Sequence, residues 1–180
     1  MVAFSSPDYF SSNPPPAGSE PQPRPGLALD YFFMRRRTAT IGEQFWTVVA
    51  KGWTDFNSLE RMRAARLFSR FRPYWTPEFF TDENRAFYDS LPEAFTAYRG
   101  QNGTEIAAGG VFTLSKAVAR NYALGRRTVR HCDPTIVSLR VAKSDVALAF
   151  SGRDDEEIVL FPLQWNAARI EATHPGRLTH

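Results

Sequence analysis

The chain has 180 residues and a mass of 20.4 kDa, enough for one domain with a sizeable core and too little for two full ones. With 43% hydrophobic and 14% aromatic residues its composition is that of a globular protein, and no apolar run approaches the length of a membrane span. Lys and Arg number 22 against 19 for Asp and Glu, and the resulting net charge of +3 favours acidic ligands without naming a nucleic acid.

Cys132 is the only cysteine, so an internal disulfide and a paired-cysteine zinc knuckle are both excluded and a reducing compartment is expected. The first residues, Met1 to Asp8, have neither the basic start nor the apolar core of a secretion signal. The expected location is the cytoplasm, of the cell that makes the protein or of one that receives it, with no membrane partner.

Residues 1–26 are rich in Ser, Pro and Gly, with Pro14-Pro15-Pro16 and the alternating prolines from Pro21 to Pro25, and they lack a hydrophobic period. They read as a flexible tail with local polyproline-II character. A single domain is predicted over 27–173, helical over 41–92 and strand-rich over 93–173, with a second tail at 174–180. Tyr31-Phe32-Phe33-Met34 followed by Arg35-Arg36-Arg37 is a mixed apolar and basic patch.

Spacing of Ile41, Phe45, Val49 and Trp53 predicts a first helix over Ile41–Trp53. Asp55 or Asn57 then caps a second, running to about Phe71, with Phe56, Leu59, Met62, Leu67 and Phe71 as its apolar stripe and Arg61, Arg63, Arg66 and Arg70 around it. Pro73 stops it. Thr76-Pro77-Glu78 starts another helix, or a broken pair, ending near Leu91-Pro92.

Beyond Pro92 the pattern changes to short strands: Phe95–Arg99, Gly110–Leu114, Ile136–Val141, Val146–Phe150, Glu156–Phe161 and Arg169–Thr173. One helix interrupts them at Ser115–Leu124, closed by Gly125. Helices followed by strands with one embedded helix define an α+β domain.

Ser151-Gly152-Arg153-Asp154-Asp155-Glu156-Glu157 loads a turn with acid just before the apolar run Ile158-Val159-Leu160-Phe161. Strand alternation sends Asp155, Glu157, Val159 and Phe161 to one face and Glu156, Ile158 and Leu160 to the other. Taken alone, such a turn reads equally as a solvated tip that discourages edge-to-edge pairing. His131-Cys132-Asp133 lacks the company of a metal-ligand spacing, and no metal site is expected. His174 and His180 fall in the terminal tail.

Tyr98-Arg99-Gly100, Phe112-Thr113-Leu114-Ser115 with its helix, and Asp155-Glu156-Glu157 opening a late strand follow one another in an order that resembles the arginine-serine-glutamate class of ADP-ribosyltransferases. The likeness is to small phage and bacterial proteins of the Tyr-Arg-Gly type and covers Leu91 to Pro162. It implies a fold of split mixed β-sheets behind an N-terminal helical layer. It also implies NAD as substrate, a macromolecular acceptor of protein or nucleic acid, and a toxin or effector role in which a neutralising partner has a place.

By that resemblance Arg99 holds a phosphate or ribose of NAD, a task suited to the two-pronged donor geometry of guanidinium. Gly100 admits the ligand to the backbone, Thr113 and Ser115 order the site or simply cap the following helix, and Tyr122 or Phe112 offers the nicotinamide an apolar wall. Glu157 is the catalytic acid, and Asp155 presents the acceptor one methylene shorter than the family's usual residue. Breaking the nicotinamide glycosidic bond builds positive charge on the ribose, which a fixed carboxylate stabilises. Two other readings stand beside transfer: an NAD glycohydrolase in which water replaces the acceptor, and a non-catalytic module that binds nucleic acid through Arg61, Arg63, Arg66 and Arg70.

Overall fold

A computed structural model describes residues 25–103, 110–125, 133–151, 156–162 and 169–172. Among the described residues five α-helices and six β-strands form a mixed α+β architecture. The helices are α1 (Pro25–Met34), α2 (Ala39–Gly52), α3 (Ser58–Phe71), α4 (Asp82–Ser90) and α5 (Lys116–Ala123). The strands are β1 (Ala94–Asn102), β2 (Val111–Thr113), β3 (Pro134–Ala142), β4 (Val146–Phe150), β5 (Glu157–Leu160) and β6 (Arg169–Ala172).

Local chemistry fixes most helix starts. The Thr38 hydroxyl accepts from the Ile41 amide at 3.3 Å to open α2. Asn57 and Glu60 cap α3 reciprocally at 3.0 and 2.8 Å, which settles the choice between Asp55 and Asn57. Thr76 caps only a single 3-10 turn, Pro77–Phe79, and Thr81 starts α4, so the predicted helix after Trp75 is a broken pair. Helix α1 includes Tyr31 to Met34, which the sequence shows only as part of a mixed apolar and basic patch. Asp30 apart it is apolar and shows no clear period, and its helical form rests on docking Leu29 and Phe32 into the core.

Strand order is β4-β5-β2-β1-β3-β6, and every pairing among the described residues is antiparallel. One sheet therefore stands where split mixed sheets were expected. Pairing within it is uneven. All of β1 pairs with β3, from Ala94↔Ala142 to Asn102↔Pro134, but β1 and β2 share the single registered pair Tyr98↔Thr113. Side chains of the two halves β4-β5-β2 and β1-β3-β6 nevertheless pack together across it, Phe112 and Ile158 with Val137 and Leu139.

Each face of the sheet carries its own apolar cluster. On one face Leu148, Val159 and Phe161 pack under α1, α2 and α3 with Phe45, Trp46, Phe68 and Phe71. Each of these side chains contributes roughly 1.5–3 kcal/mol of burial. The Trp46 indole donates to the Phe71 carbonyl at 2.9 Å, tying α2 to the end of α3. On the other face Phe112, Val137, Leu139, Ile158 and Leu160 meet Phe87, Tyr88 and Leu91 of α4. Helix α5 lies on the first face, with Ala119 and Ala123 against Ile136 and Tyr98.

Candidate active site

Register brings the three motifs side by side at one residue each. Thr113 pairs with Glu157 across β2 and β5, and Tyr98 pairs with Thr113 across β1 and β2. Directly paired residues share a face, with Cβ atoms about 4.5–5.5 Å apart. Glu157, Thr113 and Tyr98 thus form a row across adjacent strands. It lies between the α1–α3 layer, which covers Val159 of β5, and α5, which covers Tyr98.

Glu157 is half-buried, and its carboxylate has no hydrogen bond or ion pair among the described residues. Thr113 is buried, and its hydroxyl accepts from the Ser115 amide at 3.1 Å. The Ser115 hydroxyl accepts from Val118 N–H at 3.4 Å as the N-cap of α5. Both oxygens are employed in shaping the strand-to-helix turn, yet each retains a proton to donate. The site hydroxyls and the helix cap are the same atoms.

Arg99 is one residue beyond the row, and alternation turns its side chain to the opposite face. Its guanidinium carbon stands 6.0 Å from the centre of the Phe112 ring, and its Nε donates to Gln101 Oε1 at 3.0 Å. Gln101, buried and unremarked in the sequence, donates onward to the Gly103 carbonyl at 2.9 Å. Burial holds the Arg99 pKa below its ordinary value. No carboxylate lies within ion-pair distance of Arg99 among the described residues. A desolvated, uncompensated cation is an anion-binding group in waiting.

Gly100 carries a packing role that the sequence does not show. A Cβ built there falls 1.8 Å from the Ala119 carbonyl oxygen and 2.5 Å from the Ala123 nitrogen, so the missing side chain admits the backbone of α5. Tyr122 is half-buried on α5, on the flank away from Arg120, which with Lys116, Ala117, Asn121 and Ile136 lines an open groove of about 570 Å³. Asp155 lies outside the described residues, as do His131, Cys132, His174 and His180. Among the described residues no cluster of His, Cys, Asp and Glu is arranged to hold a metal.

The arginines of α3 are engaged within the fold. Arg61 donates to the Trp53 and Thr54 carbonyls at 3.2 and 3.3 Å. Arg63 pairs with Asp30, and Arg70 donates to the carbonyls of Phe32, Phe33 and Arg35 at the end of α1. Only Arg66 among them is fully exposed. That disposition leaves little of the predicted basic face for a nucleic acid.

Comparison with protein-family models, curated proteins and solved structures finds no match to this chain. No described helix is long and apolar enough to cross a membrane.

Proposed function

We propose that the protein is a mono-ADP-ribosyltransferase, transferring ADP-ribose from NAD to a macromolecular acceptor as a phage or bacterial effector. The observation that carries this reading is the Thr113↔Glu157 pair: a hydroxyl and a carboxylate more than forty positions apart in sequence stand opposite each other, with Tyr98 in line. In the proposed reaction the Glu157 carboxylate grips a ribose hydroxyl and stabilises the positive charge that develops as the C–N bond to nicotinamide breaks. The ring nitrogen leaves neutral, so its departure needs no general acid. Thr113 donates its hydroxyl proton to fix the carboxylate or the ribose, and Asp155 is assigned to the acceptor.

Arg99 enters this scheme as the anion-binding group. It projects from the face opposite Glu157, against Phe112, so a dinucleotide that meets both, pyrophosphate toward Arg99 and nicotinamide ribose toward Glu157, requires β1 and β2 to yield beside their Tyr98↔Thr113 rung. The guanidinium that burial makes costly in the empty protein gains its counter-ion from the ligand.

Incubation with NAD labelled in the adenylate part tests the reading. Covalent label on protein or nucleic acid, with nicotinamide released in step, is the expected result. Free ADP-ribose without labelled acceptor makes the protein a glycohydrolase, and intact NAD at every protein concentration eliminates both activities.

A further inference from the structure

Helix α1 presents an unusual outer side. Leu29 and Phe32 face the core, where Phe32 packs edge-on against Phe45 and Phe71, while Tyr31 is 40%, Phe33 38% and Met34 87% exposed. Arg35, Arg36 and Arg37 follow at once, all exposed. Arg35 stands 4.6 Å from the centre of the Tyr31 ring, and Arg63 stands 5.5 Å from that of Phe33. Asp30, the only acid from Leu29 to Arg37, is already paired with Arg63. Among the described residues Arg35, Arg36, Arg37 and Arg66 make no ion pair. The end of α1 is thus an apolar tip in a collar of uncompensated guanidinium groups, held in position by Arg70 on its last carbonyls.

We infer that this tip docks on an anionic lipid bilayer. Exposed Met and aromatic side chains gain by entering the boundary between headgroups and acyl chains, and the arginines around them meet lipid phosphates and carboxylates. A nucleic acid matches the arginines but offers Met34 no apolar phase to enter, so the pairing of both features favours lipid. The attachment is peripheral and reversible, since the helix is too short to span. It departs from the absence of a membrane partner expected from sequence, and it is independent of the proposed chemistry.

Co-sedimentation of the full chain with phosphatidylcholine vesicles, with and without phosphatidylserine, tests the inference. Binding is expected only where phosphatidylserine is present. Replacing Arg35, Arg36 and Arg37 together by Gln is expected to weaken it on the order of 100-fold. Met34→Asp is expected to weaken it roughly ten-fold. Both variants are compared by thermal melting with the parent, and Met34→Leu serves as the conservative variant that restores binding. No sedimentation with anionic vesicles overturns the inference. So does binding that ignores Met34→Asp and is matched by a short RNA duplex, which makes the patch a nucleic-acid surface.

Discussion

Thr113 and Glu157 stand directly opposite each other on β2 and β5, the hydroxyl buried and the carboxylate half-buried. A strand-end acid whose only task is to keep an edge solvated needs no such neighbour. In the proposed reaction Glu157→Gln keeps the shape and removes the charge. Nicotinamide release is expected to fall by roughly 10²–10³-fold, with the melting temperature unchanged. Thr113→Ser should retain most of the activity and Thr113→Val should not. A Glu157→Gln variant that turns over NAD at the parental rate removes Glu157 from the mechanism.

Arg99 separates binding from stability. Arg99→Met keeps the aliphatic stem beside Phe112 and removes the desolvated charge, so the variant is expected to be as stable as the parent or more stable by about 1 kcal/mol. On the proposed function NAD is expected to raise the melting temperature of the parent and to leave that of Arg99→Met unchanged. The sign of the pH effect follows from the lowered folded-state pKa: in strongly alkaline solution, between that value and the ordinary arginine value, the unfolded chain binds more protons and stability rises with pH. Near neutrality this group contributes no pH dependence. A large loss of stability in Arg99→Met marks Arg99 as structural.

Gly100→Ala has to displace the backbone of α5, because the contacts at 1.8 and 2.5 Å are to main-chain atoms. A destabilisation at the upper end of about 1–3 kcal/mol is expected in urea melts. Gly103→Ala is the control. Nothing crowds a Cβ at Gly103, and its φ of +78° confines the penalty to backbone conformation, about 1–2 kcal/mol.

Tyr88 gives the alkaline limit. Its pKa is raised from an ordinary value of 10.0, first by burial and then by Asp89 and Glu93, with Arg85 opposing. Below pH 10 the stabilisation of the neutral phenol is fully present, and it is lost as pH rises through the higher folded-state value. Stability should therefore decline above that pH, and Tyr88→Phe should blunt the decline in denaturant titrations followed across alkaline pH.

Much of this arrangement was legible in the sequence because it is set locally. Asn57 with Glu60, Thr76 before a proline, Ser115 ahead of its helix and Gly125 at φ +67° announce their turns within a few residues. The parity of Glu157, Val159 and Phe161 against Ile158 and Leu160 was likewise readable and matches the two apolar clusters. Helix α1 escaped notice because its residues, Asp30 apart, are apolar and leave no clear period to detect. The face taken by Arg99 was hidden for another reason: parity along β1 fixes only that Arg99 opposes Tyr98, and which of them joins Glu157 depends on the non-local register of β1 with β2. The packing role of Gly100 was not readable because the close approach of α5 is a tertiary fact.

The lone Tyr98↔Thr113 pair has a mechanical consequence. The chain crosses this seam repeatedly, since β1, β3 and β6 belong to one leaf and β2, β4 and β5 to the other, so the leaves cannot come apart as separate fragments. Opening at that rung is expected to change the spacing between Arg99 on one leaf and Glu157 on the other. Amide exchange at Tyr98 and Thr113 that is faster than at the β1–β3 rungs is the expected signature of such opening, and on the proposed function NAD is expected to slow it.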